Sequence, residues 1–166
     1  MSRRRSPGPP HRPRRSVTRL QFWDTSALLP LVVAQPPFSA HTRRLFGRKD
    51  TRAVAFLARV ESRSAVERLA REGALSPVAR RRSLSRLDRV LSAFDVVSFS
   101  SAVEQRAIES LARHPIRSLD ALQLACALEL VQMGSAEAIA VVCCDRRLGE
   151  AARAEGFRLS IALPEP

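Results

Sequence analysis

The sequence predicts a three-layer α/β domain with a mainly parallel central sheet flanked by helices. Short β-branched or aromatic runs alternate with helical stretches of 10 to 17 residues along most of the chain, the rhythm of strand, crossover helix and parallel strand. The run AIAVVCC at 138–144 is continuously apolar, as a strand buried on both faces must be. The stretch LDALQLACALELV at 119–131 is apolar nearly all round, which marks a helix enclosed by its fold. At 166 residues and 45% hydrophobic, the chain has the size and composition of one globular domain with a single core.

Each element follows in order. Residues 18–23, TRLQFW, read as a short strand, and a helix through ALLPLVVA at 27–34 follows it. Thr25 or Ser26 can cap that helix, and Pro30 kinks or shortens it. A loop around Pro36 and Pro37 leads to a helical patch at 41–46, and RAVAF at 52–56 is a second strand. A helix over about 56–72 ends at Gly73, the usual residue just past a helix C-terminus. The next helix, about 77–93, has Pro77 in its first turn, and DVVSF at 95–99 reads as a buried strand. Residues 101–112 are helical until Pro115 interrupts. After the apolar helix and AIAVVCC, a helix at 146–155, Gly156 and a strand FRLSIA at 157–162 close a domain spanning 21–163.

Charge is unevenly placed. The formal net charge is +12, and 27 of the 28 basic residues are Arg. Residues 1–20 hold seven Arg, four of the eleven Pro and no acid. So little apolar surface cannot offset the entropy of ordering, and the stretch reads as a disordered tail. Translation starting at a GTG codon for Val17 would remove most of it. Arg14 and Arg15 ahead of ALLPLVVA superficially resemble a twin-arginine leader, but Gln21 and Asp24 interrupt the hydrophobic region. The three Cys form no disulfide framework and lack zinc-ligand spacing with the three His. No run approaches the roughly 18 apolar residues of a membrane span. A cytoplasmic protein without a membrane segment is expected. Six Gly leave no phosphate-cradling loop, so nucleotide-binding fingerprints are absent.

The chemistry-bearing residues are acids. Asp24 and Asp145 each stand at the carboxyl end of a hydrophobic strand, LQFW and AVVCC. In an open parallel sheet that edge is where ligands bind. For either Asp alone, a helix N-cap is the better explanation. Glu61 shares a helical stripe with Leu57, Ala58 and Ala65, which places a carboxylate on the inward face, where it needs a partner. One of the many Arg would serve. Asp120 opens the most apolar helix just after Arg117 and Ser118. Carboxylates gathered together must take up protons or bind cations. Without His or Cys among them, the hard cations Mg²⁺ or Mn²⁺ are expected rather than zinc. Apart from these four acids, residues 21–166 carry a net charge of +9. An acidic metal pocket in a basic surround suits a phosphodiester substrate. Arg117, Arg146 and Arg147 lie next to the acids and either bind backbone phosphate or pair with those acids.

The blocks FWDTSALL, LARVESRSAVERLAREGALS, RSLDALQLACAL and VVCCDRRLGEAARAEGF resemble, in order, the successive motifs of PIN domains, in particular the VapC-type ribonuclease toxins. The resemblance covers about residues 18–162. It implies a PIN-like parallel sheet flanked by helices and Mg²⁺- or Mn²⁺-dependent endoribonuclease activity on RNA. Asp24, Glu61, Asp120 and Asp145 match the family's metal-binding acids, and Thr25 or Ser26 its hydroxyl-bearing position. The family also implies a homodimer and a small cognate antitoxin whose tail occupies the site. Three positions depart from the pattern: Cys143 replaces a Ser or Thr, Gln123 stands where His is common, and Ala55 leads into the Glu61 helix. None removes an acid.

Rival readings fit less well. A phosphatase using Asp24 as nucleophile would want an Asp at position 26, which is Ser26. With only His11, His41 and His114, a metal-free ribonuclease built on paired histidines is not expected. A catalytically inactive PIN-like module gripping RNA or antitoxin would be expected to have lost an acid. A protein that binds RNA through its Arg-rich tail alone would be inactivated by deleting residues 1–20.

Overall fold

The computed structural model describes residues 19–134 and 139–161. The Arg-rich stretch up to residue 18 and the final residue of FRLSIA lie outside them. Leu20 belongs to the sheet and is buried. Five strands, β1 Leu20–Trp23, β2 Thr51–Ala55, β3 Asp95–Val97, β4 Ile139–Val142 and β5 Arg158–Leu159, form one sheet in the order β3-β2-β1-β4-β5. Every pairing is parallel, with Leu20 opposite Thr51 on one side and Ile139 on the other.

Seven helices cover both faces: α1 Thr25–Val32, α2 Phe38–Phe46, α3 Ala58–Arg71, α4 Pro77–Leu91, α5 Ser101–Arg113, α6 Ser118–Gln132 and α7 Arg146–Ala154. The central strand explains the two cores. Alternate residues of β1 point to opposite faces. Leu20 and Phe22 pack with Val103, Leu124 and Leu148 of α5, α6 and α7, while Trp23 packs with Leu28, Leu45, Val66 and Leu87 of α1 to α4. Trp23 also meets Phe46 and Phe94 edge-on, with ring centroids 6.2 and 5.7 Å away. Deleting such a buried aromatic costs about 3–5 kcal/mol. Gln21, the one polar residue of β1, is buried yet satisfied: it donates to Asp50 and accepts from the Trp23 indole N–H.

The structure corrects two local expectations. Asp24, rather than Thr25 or Ser26, caps α1, its carboxylate accepting from the Ser26 backbone N–H at 2.9 Å. The segment at 95–99 supplies an edge strand of three residues rather than a buried one, and Val96 is 59% exposed. Pro30 lies inside α1, which stops two residues later. Gly73 follows α3 at φ +77°, a conformation that favours glycine.

The sheet order places the topological switch at β1. The chain leaves β1 toward β2 and β3 on one side and returns to β4 and β5 on the other. Loops after β1 and β4 therefore diverge and open a crevice at their carboxyl ends. Asp24 follows β1 there, and Asp145 stands shortly after β4.

Candidate active site

Asp24 is held by the strand on one side and the helix on the other. Its N–H donates to the Val142 carbonyl at 3.0 Å, extending the β1–β4 ladder, and its carboxylate caps α1. The side chain is only 5% exposed. Burial pushes its pKa from 3.8 up to about 6, and the charges of Glu61 and Asp120 add to that rise. Magnitudes decide what this Asp is for. A helix cap returns about 1 kcal/mol, whereas a shift of that size costs about 3 kcal/mol for the ionised form. Asn would cap the helix without the cost, so capping alone does not account for Asp24.

Glu61 sits in the first turn of α3, beside the buried stripe of Ala58, Ser62 and Val66. Among the described residues, no Arg pairs with it. Its Oε2 accepts from the Thr25 hydroxyl at 2.7 Å and from the Gln123 amide at 2.7 Å, and that amide also donates to Thr25 Oγ1 at 2.9 Å. Gln123, by sequence only a departure from the family pattern, is thereby brought into contact with two of the predicted site residues. A signal was present: it is an amide in an otherwise apolar stretch, three residues after Asp120 and so on the same helix face.

Asp120 opens α6. Its carboxylate accepts from the Arg117 backbone N–H at 3.2 Å, and burial followed by the charge of Asp145 raises its pKa despite that bond and the Arg117 and Arg147 charges. Asp145 is exposed and caps α7 through the Leu148 N–H at 3.0 Å. Arg117, Asp120, Asp145, Arg146 and Arg147 together line a hollow of about 300 Å³. The three arginines singled out by sequence are thus gathered around two of the four acids.

Cys143 occupies the place expected for a hydroxyl. Its thiol lies 3.8 Å from Asp24 Oδ2 and donates to the Asp145 carbonyl at 3.1 Å. Burial and the Asp24 charge push its pKa well up, so it is a neutral donor. Ser26 Oγ accepts from the Cys144 N–H at 2.9 Å and tightens the same loop. The site therefore has an inner half, with Asp24 and Gln123 buried and Thr25 and Glu61 half-buried, and an open half, with Asp120 half-buried beside exposed Asp145 and the arginines. Electrostatic repulsion between Asp24 and Asp120 links the two. His41 binds the Ser160 carbonyl and His114 binds Glu155, away from the acids.

Oxygen donors carrying uncompensated negative charge fit a hard divalent cation. Among the described residues, no three Asp, Glu, His or Cys side chains stand close enough together to enclose an ion.

A five-stranded parallel sheet covered by helices on both faces, with carboxylates at the switch point between its strands, defines the class of α/β domain. The PIN domain model matches residues 22–154, and the chain belongs to the PIN domain family, a family of nucleases. Solved structures share the fold. VapBC2 from Rickettsia felis, bound to a DNA fragment from its promoter, is 16% identical with a TM-score of 0.59, covering 84% of this chain and 96% of that one. VapC20 of Mycobacterium tuberculosis, a Sarcin-Ricin loop cleaving toxin, is 17% identical with a TM-score of 0.58 over 85% and 98%. FitAcB from Neisseria gonorrhoeae is 16% identical with a TM-score of 0.61 over 84% and 95%. No curated protein matches the chain in sequence. Among the described residues, no helix is long and apolar enough to cross a membrane.

Proposed function

We propose that this chain is a Mg²⁺- or Mn²⁺-dependent endoribonuclease that hydrolyses RNA phosphodiesters as the toxin of a type II toxin–antitoxin pair in the cytoplasm. The observation that carries the reading is the buried carboxylate of Asp24 at the switch point of the sheet, beside the charges of Glu61 and Asp120, in a domain that is otherwise strongly basic.

Asp24, Glu61, Asp120 and Asp145 would hold the cation. Once bound, it supplies a water of lowered pKa and a counter-charge for the phosphate under attack. Asp24 and Glu61 form the inner anchor, and Asp120 and Asp145 face the solvent-filled hollow. Arg117, Arg146 and Arg147 line that hollow and meet the RNA backbone. The Thr25 and Ser26 hydroxyls are engaged with Glu61 and the Cys144 N–H, and reach substrate by exchanging those bonds. A small cognate antitoxin is the proposed partner, since neighbours with this fold include toxin–antitoxin complexes. A homodimer is the proposed assembly, as the family resemblance implies.

Incubation of a mixed RNA substrate with purified protein in Mg²⁺, Mn²⁺ or EDTA tests the reading, beside an Asp24→Asn, Asp120→Asn double variant. Cleavage that needs metal and disappears in the variant is expected. Equal inertness of both proteins, with tight binding of RNA or antitoxin retained, would make the domain a binding module instead.

A further inference from the structure

We propose that Gln123 is a positioning residue: it orients Glu61 so that one carboxylate oxygen remains free for a divalent cation. The inference rests on the nuclease reading above.

Gln123 is 1% exposed. Its Nε2 and the Thr25 hydroxyl both donate to one oxygen, Oε2 of Glu61. Among the described residues, Glu61 Oε1 receives no hydrogen bond. The two donors thus fix the plane of the carboxylate while occupying only half of its acceptor capacity. Both are neutral, so they hold the group without cancelling its charge. An Arg or Lys in the same place would neutralise Glu61 and compete with a cation.

The amide is expensive to bury. Gln123 Oε1 is enclosed without a partner, and an unsatisfied buried acceptor costs about 1–3 kcal/mol. Met or Leu has similar volume and would suit the apolar surroundings better. Such a residue is explained by what it does for Glu61 rather than by fold stability, and the two explanations predict opposite results on substitution.

Gln123→Met and Gln123→Leu separate them. With full-length protein and Mn²⁺ alone as probe, the electron paramagnetic resonance signal of free Mn²⁺ reads affinity, and thermal unfolding of the metal-free protein reads Tm. The expected result is a loss of Mn²⁺ affinity of about 10- to 100-fold, the size seen when a partner of a metal ligand is removed, with Tm unchanged or raised. Because Thr25 acts on the same oxygen, Thr25→Val combined with Gln123→Met should lose less affinity than the product of the two single losses. Mn²⁺ affinity within about twofold of wild type in a folded variant overturns the proposal, as does an affinity loss that only tracks a fall in Tm. Wild-type protein that binds no more Mn²⁺ than Asp24→Asn overturns the metal-site reading itself, and the Gln123 role with it.

Discussion

Two acids on α3, six residues apart, have opposite surroundings. Glu67 grips the Arg80 guanidinium with both oxygens, at 2.5 and 2.6 Å, and its pKa is lowered by that bond. Glu61 is held by a hydroxyl and an amide. Although the chain holds 27 arginines, Glu61 has no ionic partner among the described residues. An ion pair spends a carboxylate's charge on the fold, whereas neutral donors fix its position and leave the charge available. The helix carries one acid of each kind, and only the second kind faces the switch point.

The largest contrast should come from removing charge at each position. Glu61→Gln is expected to bring RNA cleavage down to the EDTA level, while Glu67→Gln, on the surface, leaves the rate within about twofold of wild type because exposed pairs contribute little. Initial rates on one RNA substrate check both. Comparable losses would mean that the distinction between the acids is false.

Asp24 sharpens the same comparison through stability. Its folded-state pKa is raised from 3.8 to about 6, so the native protein keeps a proton that the unfolded chain has already released. Its stabilising contribution is therefore present below about pH 4 and lost as pH rises through 6. Asp24→Asn removes this dependence. The metal-free variant should be more stable than wild type at pH 7 by up to about 3 kcal/mol, with the difference vanishing near pH 4. Urea unfolding at several pH values checks it, and Mg²⁺ should narrow the gap by stabilising only wild type.

A smaller effect is expected at the open half. Arg147→Ala should weaken RNA binding without altering sequence preference, and should reduce the slope of log affinity against log salt by about 0.7, the share of one phosphate contact on a single strand. Binding titrations with the Asp24→Asn background, from low to moderate salt, measure that slope.

Much of this arrangement was legible from the chain. LQFW before Asp24 and AVVCC before Asp145 are short apolar runs that only a parallel sheet buries on both faces, and the rule for ligand position then put both acids on one edge. What failed depended on neighbours in space. Asp24 took the cap from Thr25 and Ser26 because the Thr25 hydroxyl is drawn 36 positions along the chain to Glu61. Val96 is exposed because β3 lies at the sheet edge, which an apolar run cannot reveal. An Arg was one of the partners open to Glu61; among the described residues its hydrogen-bond donors come instead from α1 and α6, and no spacing within α3 could name them.

Pairing of Leu20 with Ile139 has a consequence for synthesis. The acids that flank the crevice, Asp24 and Asp145, come from near opposite ends of the domain. A ribosome releases the chain from its N-terminus at about 5–20 residues per second, so β1, β2 and β3 emerge well before β4 exists. Until β4 is made, the crevice has one wall. A polypeptide that stops before β4 therefore carries Asp24, Glu61 and Asp120 but lacks Asp145 and the strand that leads to it.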